Sequence, residues 1–131
     1  MENSPAGTAG QIRSLGEQLV ILDIDLASLL EVSPEQLNAL VRKRWPEIAR
    51  EFAFPVSHEQ VRDLLSDADD ARFREGQESR LAYTEHGAIV VCAIFDDPRT
   101  IQLLINLVRA FVARRESLES SRRARPKPEL H

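Results

Sequence analysis

The stretch LAYTEHGAIVVCAIFDD, residues 81–97, decides the expected fold class. Leu81, Tyr83 and Glu85 alternate with Ala82 and Thr84, the period-two pattern of a half-buried strand. Glu85-His86-Gly87 reads as a tight turn. The run AIVVCAIF, residues 88–95, is apolar throughout, as in a strand covered on both faces at the centre of a sheet. A hairpin followed by a long helical pattern predicts an α+β domain.

Downstream, Asp96, Asp97 and Pro98 signal a helix start, and the pattern carries the helix from Pro98 to about Leu118. Ile101, Leu104, Ile105, Val108, Phe111 and Val112 fall on one stripe. Leu103 and Leu107 widen it to an arc of roughly 200° at 3.6 residues per turn. That is about twice what a surface helix needs. Either another helix of the chain or a partner chain covers the surplus.

Upstream, Leu19 to Val32 reads LVILDIDLASLLEV. Its first half alternates and is β-branched, which favours a strand, with a second short strand from Ser28 to Val32. One continuous helix is the competing reading. Ser33, Pro34 and Gln36 make a capping box, opening a helix over residues 34–52 that kinks or restarts at Pro46. Ser57 with Gln60 opens a second, shorter helix, followed by the acidic stretch around Asp67, Asp69 and Asp70. Residues 72–79 are a candidate edge strand.

The expected domain layout is a flexible tail at residues 1–16, one domain over 17–118, and a disordered basic tail at 119–131. The chain has 131 residues, is 43% hydrophobic and carries a formal net charge of −4. That charge argues against a nucleic-acid or anionic-membrane coat. A single cysteine, Cys92, allows no internal disulfide and suits a reducing compartment. The first residues lack a signal-peptide pattern, and the longest apolar run is far too short to span a bilayer. A cytoplasmic location is therefore expected.

The search for chemistry is mostly negative. Asp23-Ile24-Asp25 after an apolar strand has the D-x-D form of haloacid-dehalogenase-type phosphotransferases, with Asp23 as nucleophile and the pair at magnesium. No suitably placed lysine balances that charge, since the only two are Lys43 and Lys127. His58, His86 and His131 show no metal-ligand spacing. Cys92 reads as a buried small hydrophobe rather than a nucleophile. Neither a phosphate-binding glycine loop nor a nucleophile elbow is present. The expectation is a non-catalytic protein that needs no metal or cofactor.

The stretch FREGQESRLAYTEHGAIVVCAIFDD, residues 73–97, and VILDID followed by ASLLEV resemble the roadblock/LC7 family over about residues 17–118. The resemblance implies an antiparallel sheet of about five strands. It also implies homodimerisation through the central helix and an edge strand. Bacterial members pair with small Ras-like GTPases, some as activating partners, so the chain would act as regulator or scaffold without catalysis of its own. On that reading the protein interface takes Leu37, Leu40, Val41, Arg44 and Trp45 from the central helix, with Leu103 and Leu107 from the last. A second hypothesis is a small acidic dimeric chaperone of the secretion type, holding an extended client segment.

Overall fold

The computed structural model of the chain describes residues 11–46, 49–75, 80–95 and 97–124. Strand β1 (Ile12–Leu15) and strand β2 (Gln18–Leu22) form the first hairpin. Gly16 takes φ +66° in the two-residue turn between them, where only glycine is free of Cβ strain. Strand β1 therefore lies inside the segment expected to be a tail.

Helix α1 (Asp23–Leu30) follows β2 directly. The second half of the 19–32 segment is thus helical, where a second strand was expected. The helix ends on Glu31, at φ 63°, whose N–H and that of Val32 close back on the carbonyls of Ser28 and Ala27. Helix α2 (Pro34–Arg44) opens with the expected box: Ser33 Oγ accepts from Gln36 N, and Gln36 Oε1 accepts from Ser33 N. It stops at Trp45, because the following Pro46 cannot continue the helical hydrogen bonding.

Strand β3 (Ala53–Pro55) then enters the sheet. Helix α3 (His58–Val61) carries the second expected capping box, runs into a 3-10 turn at Arg62–Leu64, and leads to helix α4 (Asp67–Glu75). Residues 67–75 are helical, against the expected edge strand beginning at residue 72. Residues 76–79 of that expected strand lie outside the described residues, as do residues 1–10 and 125–131 of the expected tails.

Strand β4 (Leu81–Tyr83) is as expected, but the apolar run after it is helix α5 (Glu85–Phe95). An eight-residue apolar run fits a buried helix as well as a buried strand. Thr84 decides between them here. Its Oγ1 accepts from Gly87 N at 3.1 Å and its carbonyl accepts from Ala88 N at 2.8 Å, which caps a helix. Helix α6 (Pro98–Ala124) closes the chain over 27 residues, six past the expected Leu118 and into the expected disordered tail.

Among the described residues the sheet has four antiparallel strands in the order β1-β2-β4-β3, against the five expected. Both faces are covered. Ile12, Ile21, Leu81, Tyr83 and Ala53 point to one face, where Leu26, Leu37, Val41, Ala88, Val91 and Phe111 complete the core. Val20, Leu22, Ala82 and Phe54 point to the other, against Val61 and Phe73. Helices α1, α2, α5 and α6 feed the first core, and α3 and α4 the second. The period-two alternation survives in each strand, but both sides are apolar because each meets a helical layer.

The N-terminus of α5 is jammed against the start of β3. A Cβ built at Gly87 would lie 1.8 Å from the Phe52 carbonyl oxygen, a backbone atom. That oxygen also accepts from Thr84 N at 3.0 Å. Gly87→Ala is expected to exceed the about 1–3 kcal/mol typical of overpacking, with loss measured by urea unfolding.

Candidate functional site: buried charge and a free helix face

The two aspartates of the D-x-D pattern sit in the first turn of α1, and an arginine faces each. Asp25 Oδ2 accepts from Arg13 Nε at 3.3 Å and Nη2 at 3.0 Å. The same guanidinium reaches Asp69 Oδ2 at 3.0 Å and the Leu64 carbonyl. Arg13 thus ties β1 to α1, α4 and the 3-10 turn. Sequence reading missed it because residues 1–16 are expected there to be a flexible tail, although Gly16-Glu17 has the form of a two-residue hairpin loop.

Asp23 is fully buried. Its Oδ2 accepts from Asn38 Nδ2 at 2.7 Å, from Leu81 N at 3.0 Å and from Arg80 Nη1 at 3.5 Å. Asn38 Oδ1 in turn accepts from the Tyr83 hydroxyl at 2.9 Å. Asp23 Oδ1 has no hydrogen-bond partner among the described residues. Burial raises the Asp23 carboxyl above its ordinary range, against the lowering pull of Asn38, Leu81 and Arg80. Burial and the Asp23 charge raise the Tyr83 hydroxyl as well. These groups hold the fold together, with the carboxylates facing inward onto arginine and amide donors.

Cys92 is buried in the core and burial pushes its thiol up to about 11, which keeps it protonated at neutral pH. His58 pairs with Asp70 beside Phe73. His86 is exposed in the first turn of α5. Among the described residues no group of three or more His, Cys, Asp or Glu side chains is placed to hold a metal ion. No described helix is long and apolar enough to cross a membrane.

The expected interface residues separate into two groups. Leu37, Val41, Leu103 and Leu107 are in the core, at 0%, 2%, 5% and 1% exposure. Leu40 and Trp45 are half-buried, Trp45 against that core, and Arg44 is exposed. A helical wheel shows that a face is apolar but not which part of it turns inward. On α6 the inward part is Leu103, Leu107, Ala110 and Phe111.

The opposite face of α6 is open. Ile101 is 63% exposed, Ile105 39% and Val112 36%, and Val108 is half-buried between them. The spacing of four, three and four residues keeps these side chains on one line along the helix. Below the C-terminal half of α6 lies an open groove of about 900 Å³. Its walls are largely polar, with Glu51, Glu85, His86, Arg115, Glu119 and Arg122 among them, and Arg115 pairs with Glu85 at 3.1 Å.

These features define an α+β domain whose sheet lies between two helical layers and which carries a long helix with an open apolar face. Residues 10–94 match the family model of the ORF6N domain, and the chain belongs to the ORF6N-domain family. Comparison with curated proteins and with solved structures gives no match. The family match overturns the resemblance to roadblock/LC7 proteins. The structure shows why the pattern misled: its apolar strand at 88–95 is helix α5, and the second strand of its first hairpin is helix α1. The match spans β1 through nearly all of α5 and stops before α6.

Asp23→Ala leaves the buried Arg80 without its inward counter-charge and is expected to cost about 3–5 kcal/mol in urea unfolding. The Asp23 carboxyl is raised in the folded state, so the fold binds its proton more tightly than the unfolded chain. Its contribution therefore grows as pH falls through the folded value towards 3.8 and is lost as pH rises. Relative to Asp23→Asn, the wild-type protein is expected to gain stability as pH is lowered from 7 towards 4.

Proposed function

We propose that this chain is a protein-binding module that works through the outer face of α6, without catalysis of its own. The observation that carries this reading is the row Ile101, Ile105, Val108 and Val112, apolar and open to solvent on the side of α6 away from the core. Contiguous exposed apolar surface on a stable domain marks an interaction site. A helix presenting residues at such spacing is a recurrent means of protein recognition. Further support comes from the acidic pair: Asp23 and Asp25 face arginines inside the fold, and neither is presented to solvent.

The other readings have less support. The phosphotransferase pattern needs Asp23 as an accessible nucleophile, and Asp23 is fully buried. A chaperone for extended apolar segments needs an apolar trough, and the groove beside α6 is walled mainly by polar and charged side chains. The small GTPase partner rested on the roadblock/LC7 resemblance alone and has no other support.

The test compares immobilised wild-type chain with Ile105→Asp, both exposed to lysate of the source cell supplemented with untagged chain. Removing one buried isoleucine contact and placing a charge there is expected to lower retention of the face-dependent partner about tenfold or more, at unchanged circular dichroism. Identical retained proteins for the two baits would overturn the reading.

A further inference from the structure

We draw no further inference here: the strongest candidate, the apolar outer face of α6 formed by Ile101, Ile105, Val108 and Val112, belongs to the site already described, and nothing in the structure shows what covers it.

Discussion

Much of this fold hangs on one carboxylate oxygen. Asp23 Oδ2 takes hydrogen bonds from Asn38 on α2, from the backbone of Leu81 on β4 and from Arg80 just before that strand. Through Asn38 it also holds the Tyr83 hydroxyl. An isolated buried charge is costly, and several donors converging on one oxygen offset that cost. The result is a fixed point where the start of α1, the middle of α2 and the central strand β4 are held in one arrangement. Arg13 does the equivalent for the first strand, drawing β1, α1 and α4 together.

The relation of α6 to the rest follows from the same cores. The family match ends at residue 94, yet Leu103, Leu107, Ala110 and Phe111 sit in one cluster with Ala88, Val91 and Cys92 of α5. Helix α6 is thus part of the folded unit, although it lies outside the region that defines the family. Its inner face completes the core that α5 leaves open, and its outer face is open to solvent.

The sequence was legible where a single residue type dictates local geometry. Both capping boxes are present, α2 stops before Pro46, and α6 starts at Pro98. Strand β4 follows its alternation. It misled where one pattern serves two structures. AIVVCAIF suits a buried strand and a buried helix alike, and only Thr84 with Gly87, a cap and a close approach to Phe52, separates them. Helix α1 was hidden because its end is a left-handed Glu31, where glycine is the usual signal. Strand β3 is three residues long, beside a proline, and leaves almost no pattern. Among the site residues, the surplus of apolar surface on α6 was legible. Its location was displaced by about half a turn, from Leu103 and Leu107 to Ile101, Ile105 and Val112, because the wheel carries no information on which side α5 lies.

Both margins of the sheet are unsuited to growth by strand addition. Strand β1 is four residues long and turns Arg13 inward, and strand β3 is three residues long and ends on Pro55, which has no N–H to offer. Short edges, inward charges and edge prolines are how proteins avoid templating one sheet on another. Contact with another chain through backbone pairing is thereby disfavoured at both described edges, and side-chain shape is left to discriminate between neighbours.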